Sequence, residues 1–114
     1  MEIAESSYGA VLVLGPKGRL DSITAPEFEL LVRGCLADGH RRIVIDLDAL
    51  DYISSAGLRV LLVAAKALKT ERGQIALCRV RSMVMEVLRI SAFDRIFTIL
   101  PSLEQAVAQL GGGA

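Results

Sequence analysis

The chain alternates short apolar runs with amphipathic stretches, and this pattern predicts strands separated by helices. The apolar runs are bounded by Gly, Pro and polar residues, as strands usually are. The run at 43–47 is nearly continuous in β-branched residues, which is typical of a central strand covered on both faces. Strands are therefore predicted at residues 3–8, 10–14, 43–47, 74–78 and 96–99, the last as an outer strand.

Helical spacing of apolar residues predicts four helices. The first begins after Thr24, which is expected to cap it while Glu27 reaches back in a capping box. Gly39 is expected to stop this helix. The other helices are predicted at residues 55–69, near residues 84–88 and, after a second capping-box pattern at 102–105, up to residue 110.

Strands that alternate with helices predict an α/β sandwich in which parallel strands are joined by right-handed crossovers. No internal repeat or linker interrupts the 114 residues. The whole chain, residues 1–114, is therefore expected to form one domain, with a short flexible Gly-rich tail from about residue 111.

Composition narrows the classes of function. Hydrophobic residues make up 53% of the chain, and 13 basic residues balance 13 acidic ones. This balance gives no electrostatic reason to expect nucleic acid or an anionic membrane as partner. The longest apolar run, Val60 to Ala65, is too short to cross a bilayer. The acidic N-terminus does not resemble a secretory signal, so a cytoplasmic protein with Cys35 and Cys78 as reduced core thiols is expected.

No set of residues suited to catalysis is evident. His40 is alone in a polar turn and is interpreted as a surface histidine. Asp46 and Asp48 share one side of a strand but do not make a metal-ligand set, and we expect them to solvate the strand end. The turn at 15–18 lacks the spacing of a phosphate-binding loop. The sequence thus predicts a binding protein without metal or cofactor, with a nucleotide-binding enzyme as a minor alternative.

The segment Ser54-Ser55-Ala56-Gly57 is predicted to lie where a strand leads into the second helix. The first N–H groups of a helix lack internal acceptors and its dipole favours an anion, so a phosphate on a hydroxyl here would be tolerated. A partner docked on these small residues would instead meet a bulky dianion. An ordinary serine cap is the simpler alternative. Two adjacent hydroxyls allow one to cap while the other stays available.

The second helix is apolar nearly all round. Arg59 and Lys66 leave only a narrow polar strip, and an apolar outer face beside the serines is typical of a partner surface. A helix buried on both sides would give the same pattern. The predicted core stripe is Leu58, Leu61, Leu62, Ala65 and Leu68, and the predicted outer face is Val60, Val63, Ala64 and Ala67.

The segment from Asp51 to Leu62, DYISSAGLRVLL, resembles the signature of the STAS domain, specifically that of the stand-alone anti-sigma factor antagonists of bacteria. The resemblance implies a SpoIIAA-like α/β fold, a single domain with a mixed sheet of four to five strands and about four helices. It continues through further segments in the same order: Gly18–Asp21, Thr24–Phe28, Val87–Phe97 and Ser102–Leu110.

The resemblance also implies a partner-switching cycle. The unphosphorylated protein would bind an anti-sigma factor that is a serine kinase of the GHKL type, and the sigma factor would be released. The kinase would phosphorylate the antagonist on Ser55, two residues before Gly57, and a metal-dependent serine phosphatase would restore it. Asp21 would be the carboxylate neighbour of the acceptor. Ser54 stands where better-known members carry Asp, and it remains the second candidate acceptor.

The expected partner surface and its alternatives complete the prediction. A STAS subunit or regulator of a membrane transporter is the alternative function. The oligomeric state is left open between a monomer and a weak dimer. The expected partner-binding residues are Asp21, Ser54, Ser55, Ala56, Gly57, Arg59, Val60 and Val63.

Overall fold

The computed structural model describes residues 1–111, which form two sheets and four α-helices. The strands are β1 Ile3–Tyr8, β2 Val11–Pro16, β3 Gly18–Leu20, β4 Arg42–Asp46, β5 Leu50–Ile53, β6 Gln74–Cys78 and β7 Thr98–Leu100. The helices are α1 Ala25–Ala37, α2 Ser55–Thr70, α3 Ser82–Ile90 and α4 Leu103–Gly111, with a 3-10 turn at Phe93–Arg95. The predicted tail lies outside the described residues except for Gly111, which ends α4.

The main sheet has five strands in the order β1-β2-β4-β6-β7. The first pair, β1 and β2, is antiparallel, and every other neighbouring pair is parallel. Strands β3 and β5 form a separate parallel pair. This mixed sheet with four helices confirms the predicted α/β class.

Side chains of the main sheet alternate between two cores, as the period of two in a strand requires. Leu12 and Leu14 of β2 face a large core shared with α1, α2 and α3. Val11 and Val13 face a smaller core beneath α4, where Ala106 and Leu110 pack. The central strand β4 contributes to both cores and is buried on both faces, as the run of β-branched residues predicted.

Some elements differ from the prediction. Strands β3 and β5 were not predicted, because three and four residues are too few to establish a period. The outer strand begins at Thr98, later than predicted, since Phe93–Arg95 form a 3-10 turn and the Phe97 side chain is buried. The α4 cap is confirmed: the Gln105 N–H donates to Ser102 Oγ at 3.1 Å. No helix within residues 1–111 is long and apolar enough to cross a membrane.

Both cysteines are free, buried thiols, as predicted. Burial, with a smaller contribution from the nearby Asp46 carboxylate, raises the pKa of Cys78 to about 12. Burial likewise raises the pKa of Cys35. Each thiol therefore stays protonated and unreactive while the protein is folded, because the thiolate is the reactive form.

We expect neither thiol of the folded protein to react with a disulfide reagent at about pH 8, whereas both react in concentrated urea. The unfolded thiols ionise near a pKa of about 8.5 and the folded ones do not. Stability should therefore fall as the pH rises above about 9, because the unfolded state then loses protons that the folded state keeps. Urea denaturation of the wild type and of Cys78→Ala measures this; a pH dependence equal in the two proteins would contradict it.

Candidate functional site

The short parallel pair β3 and β5 brings two loops to one edge of the molecule. Leu20 pairs with Ile53, and the Ser54 N–H donates to the Leu20 carbonyl at 2.9 Å. Asp21 and Ser54 each come directly after these paired residues. The loop before α1 and the start of α2 are thus held side by side.

The Asp21 carboxylate organises the first of these loops. Its Oδ1 accepts hydrogen bonds from the N–H groups of Ile23 at 3.0 Å and Thr24 at 3.1 Å. Both bonds lower the pKa of Asp21, and the bond from Thr24 has the larger effect. Arg19 makes a smaller contribution in the same direction. A carboxylate that accepts backbone N–H bonds is stabilised in its charged form, so Asp21 is a fixed negative charge.

The predicted capping box at the start of α1 is wrong. Thr24 has helical backbone angles and its side chain makes no cap hydrogen bond. Its hydroxyl instead donates to the Arg19 carbonyl at 2.8 Å and accepts from the Asp21 N–H at 3.0 Å. Glu27 pairs with the N-terminal amine at 2.7 Å rather than reaching back. Thr24 therefore stabilises the loop that carries Asp21.

The two serines at the start of α2 have different environments. Ser54 is the N-cap residue, and its carbonyl accepts the Leu58 N–H at 2.9 Å. Its hydroxyl makes no cap hydrogen bond, and in the described part of the chain its Oγ is buried without a partner. Ser55, the first residue of the helix, is exposed. The expectation that one hydroxyl caps is wrong. Of the two serines, Ser55 is the exposed residue, whereas the hydroxyl oxygen of Ser54 is buried.

Gly57 sets the distance between α2 and the small sheet. A Cβ at this position would lie 2.7 Å from the Leu20 carbonyl oxygen and 2.7 Å from Cγ1 of Ile53. Real Cβ atoms essentially never make contacts this short, so only glycine allows the first turn of α2 to approach β3 and β5 this closely. The glycine thereby fixes the position of the serines relative to Asp21.

The core face of α2 differs from the prediction. Val60 and Ala64, expected on the outer face, are 2% and 1% exposed. Leu58, Leu62 and Ala65, expected in the core stripe, are only half-buried, as are Val63 and Ala67 of the expected outer face. The buried stripe is Gly57, Val60, Leu61, Ala64 and Leu68. Relative to the prediction, α2 is thus rotated about its axis so that Gly57 faces the core. The expected apolar outer face is not formed.

An open groove lies between the first halves of α1 and α2, next to Ser55. It encloses about 410 Å³. Two large side chains near it are strongly exposed, Ile23 at 80% and Leu30 at 72%. The lining residues are Ser22, Ala25, Pro26, Glu29, Leu30, Arg33, Ala56, Arg59 and Val60.

Two arginines share one carboxylate across this groove. Glu29 of α1 pairs with Arg33 on its own helix at 2.9 Å and with Arg59 of α2 at 3.4 Å. The Arg59 side chain is 66% exposed, whereas that of Glu29 is 19% exposed. The groove therefore carries more positive than negative charge.

The sequence analysis did not single out Leu30, which lines the groove from α1, or Ile23, which lies in the loop before α1. Leu30 lies outside the periodic apolar positions of α1, and Ile23 lies in a polar loop. Neither position is placed to reach the core. A large apolar residue at such a position is the sequence signal that could have indicated an exposed apolar surface. Arg19, whose guanidinium lies 4.2 Å from the centre of the Tyr52 ring, was also missed.

The acidic residues at the end of β4 form ion pairs rather than a solvated strand end. Asp46 accepts two hydrogen bonds from Arg79, at 3.1 and 2.5 Å, and Asp48 lies 3.8 Å from the same guanidinium. These contacts raise the pKa of Arg79. Within residues 1–111, His, Cys, Asp and Glu side chains form no group of three or more that could hold a metal ion.

Comparison with known proteins gives consistent results. The sequence profile of the STAS domain matches residues 3–106. BtrV of Bordetella bronchiseptica, provisionally named an anti-sigma factor antagonist, is 39% identical over 108 residues, which cover 95% of this chain and 93% of BtrV.

Solved structures show the same fold at lower sequence identity. A crystal structure from Thermotoga maritima, provisionally named an anti-sigma factor antagonist, has a TM-score of 0.91 at 24% identity and covers 96% of this chain and 94% of its own. The unphosphorylated anti-sigma factor antagonist SpoIIAA has a TM-score of 0.84 at 17% identity, with 97% of each chain covered. Since the profile match extends over most of the sequence, this chain belongs to the STAS domain family, with the SpoIIAA fold.

Proposed function

We propose that this protein is an anti-sigma factor antagonist that binds an anti-sigma factor serine kinase and is switched off by phosphorylation of Ser55. The observation that carries the proposal is the contrast between the two serines. Ser55 is exposed in the first turn of α2, whereas Ser54 Oγ is buried. The name of the relative BtrV supports an anti-sigma factor as the partner.

The covalent step is transfer of the γ-phosphoryl group of ATP. Ser55 Oγ attacks the γ-phosphorus, and the bond from this phosphorus to the oxygen bridging to the β-phosphate breaks. ADP leaves, and the hydroxyl proton passes to a base of the kinase. We assign the kinase to the GHKL type. A metal-dependent serine phosphatase reverses the modification by adding water across the ester, which releases inorganic phosphate and restores the hydroxyl.

Phosphorylation acts on binding rather than on folding. The phosphate adds a charge of about −1.5 to −2 at a helix N-terminus, where unpaired N–H groups and the dipole favour an anion. The neighbouring loop already holds the ionised Asp21. A partner that covers Ser55 would have to desolvate both negative charges, and this cost excludes it.

The partner surface consists of the exposed residues around Ser55. Ile23 and Leu30 provide apolar contact area, and Arg59 provides a charge at the edge of the groove. Gly57 and Val60 were expected among the contact residues, but both are buried and would only shape the surface. The full surface that we propose is Asp21, Ile23, Leu30, Ser54, Ser55, Ala56, Arg59 and the half-buried Val63.

Incubation with the cognate kinase and ATP should place one phosphate on Ser55, located by mass spectrometry of peptides. Ser54→Ala should be phosphorylated at a rate close to that of the wild type, because its hydroxyl is buried and makes no hydrogen bond. Ser55→Ala should accept no phosphate and should stay bound to the kinase in the presence of ATP.

Two results would overturn the proposed function. One is transfer to neither serine together with no binding of the kinase. The other is loss of transfer in Ser54→Ala with continued transfer in Ser55→Ala, which would assign the switch to the buried hydroxyl.

A further inference from the structure

Ser55 and Arg59 lie on the same face of α2. They are four residues apart, so their Cβ atoms are separated by about 5–6 Å. Long side chains in a helix point back toward its N-terminus, which directs Arg59 over the turn that begins with Ser55. An arginine at this spacing is within reach of a phosphate on the serine, and it binds phosphate through two parallel N–H bonds.

The present partner of Arg59 is easily exchanged. The Arg59 side chain is 66% exposed, and its guanidinium lies 3.4 Å from Glu29, a long contact for an ion pair. Glu29 also holds Arg33 at 2.9 Å. If Arg59 left, Glu29 would keep its second arginine and would not become an unpaired carboxylate.

Arg19, the arginine that contacts Asp21, already has two partners. Arg19, on β3, lies over the Tyr52 ring at 4.2 Å and contacts Asp21 Oδ2 at 3.4 Å. If Arg19 moved to the phosphate, both contacts would break. The negative charge of Asp21 would then lose its neighbouring cation next to the phosphate dianion. Exchange of its present partner therefore costs less for Arg59 than for Arg19.

We infer that phosphorylation of Ser55 draws Arg59 away from Glu29, so that its guanidinium binds the new phosphate. This inference rests on the proposed phosphorylation of Ser55 and describes how the modified state is organised. The exchange has two effects. First, the guanidinium offsets part of the negative charge that phosphorylation adds next to Asp21. Second, Arg59 leaves the edge of the groove, so the partner loses contact with a cation and also meets an anion.

A ³¹P NMR titration of the protein with phosphoserine at position 55 tests the inference. A guanidinium bound to the phosphate stabilises the dianion and so lowers its second pKa, which is about 6 when unperturbed. We expect Arg59→Gln to raise this pKa by about half a pH unit relative to the wild-type background, and Arg59→Lys to raise it less. Asp21 and Glu29, the carboxylates facing the site, are present in all these proteins.

Lys66→Gln is the matched control, since it removes the same charge from α2 about three turns from Ser55. It should leave the pKa of the phosphate unchanged. Equal pKa values in the wild type and Arg59→Gln would overturn the inference, as would an equally large shift in Lys66→Gln.

The titration separates this inference from the proposed function. Phosphoserine is introduced at position 55 during translation, so the measurement does not depend on the kinase. Failure of the kinase to modify Ser55 would overturn the proposed function alone. If the Arg59→Gln protein has a native circular dichroism spectrum and its phosphate has the same second pKa as in the wild-type background, the inference alone would be overturned.

Discussion

Replacing Ser55 with Asp should weaken binding to the anti-sigma factor kinase by about tenfold or more while leaving the fold intact. The substitution places a permanent carboxylate near the ionised Asp21, at the proposed partner surface. A tenfold loss corresponds to about 1.4 kcal/mol, less than the usual cost of burying an unpaired charge. Isothermal titration calorimetry measures the affinity, and thermal unfolding should show a Tm equal to or slightly above that of the wild type.

The matched control is Ser102→Asp, which adds the same charge at the start of α4. Asp caps a helix as well as Ser does, so this variant should fold normally. It lies on the α4 side of the main sheet and should bind the kinase with wild-type affinity. Unchanged affinity in Ser55→Asp would show that electrostatic exclusion is the wrong mechanism.

Gly57→Ala should destabilise the protein by about 1–3 kcal/mol, the usual cost of forcing extra volume into a packed interior. The added Cβ would lie 2.7 Å from a backbone oxygen of Leu20, which has no rotamer by which to move aside. The first turn of α2 must therefore shift away from β3. Urea denaturation should show a lower midpoint, and binding of the kinase should weaken because Ser55 moves with the helix.

Gly34→Ala is the same chemical change in α1, where no atom beyond the adjoining residues and the backbone of its own helix lies within 4 Å of the new Cβ. It should stabilise the protein by about 0.5–1 kcal/mol, because alanine loses less backbone entropy than glycine in a helix. The two substitutions should move the denaturation midpoint in opposite directions. A Gly57→Ala protein as stable as the wild type would show that close approach of α2 is not required.

The main sheet and the helices were predictable from the sequence because long apolar runs and helical spacing give local signals. Strands β2, β4 and β6 follow directly from such runs, and the Ser102 cap from its motif. The pair of β3 and β5 was not predictable in this way. Its strands are held together by hydrogen bonds between residues far apart in the sequence, such as Ser54 and Leu20. Local sequence patterns do not reveal such pairing.

The orientation of α2 was mispredicted for an identifiable reason. A helix that is apolar nearly all round contains several stripes of similar hydrophobicity, and the largest side chains indicated the wrong one. The fold instead turns Gly57 and Ala64 inward, where the helix has to lie close to its neighbours. The spacing of small residues along one face indicated which face of α2 is buried, whereas the number of leucines did not.

The candidate site was predicted in part. The serine segment and the exposure of Arg59 followed from the sequence, whereas the groove with Leu30 and the shared carboxylate of Glu29 did not. The groove depends on how α1 and α2 pack against each other. Thr24 shows the same limit, since its motif fits a helix cap but its hydroxyl is bonded to the Arg19 carbonyl.

The two unequal cores separate the side of the molecule that carries the proposed phosphorylation switch from a side where a label can be attached. Ser55 and the groove lie with α1 and α2, while α4 is the one helix of residues 1–111 that covers the opposite face of the sheet. A fluorescent label at an exposed position of α4, such as Gln109, would stand away from the docking partner. Labels there would report rotational slowing when the kinase binds and its reversal on phosphorylation, which makes this helix a suitable handle for following the switch in real time.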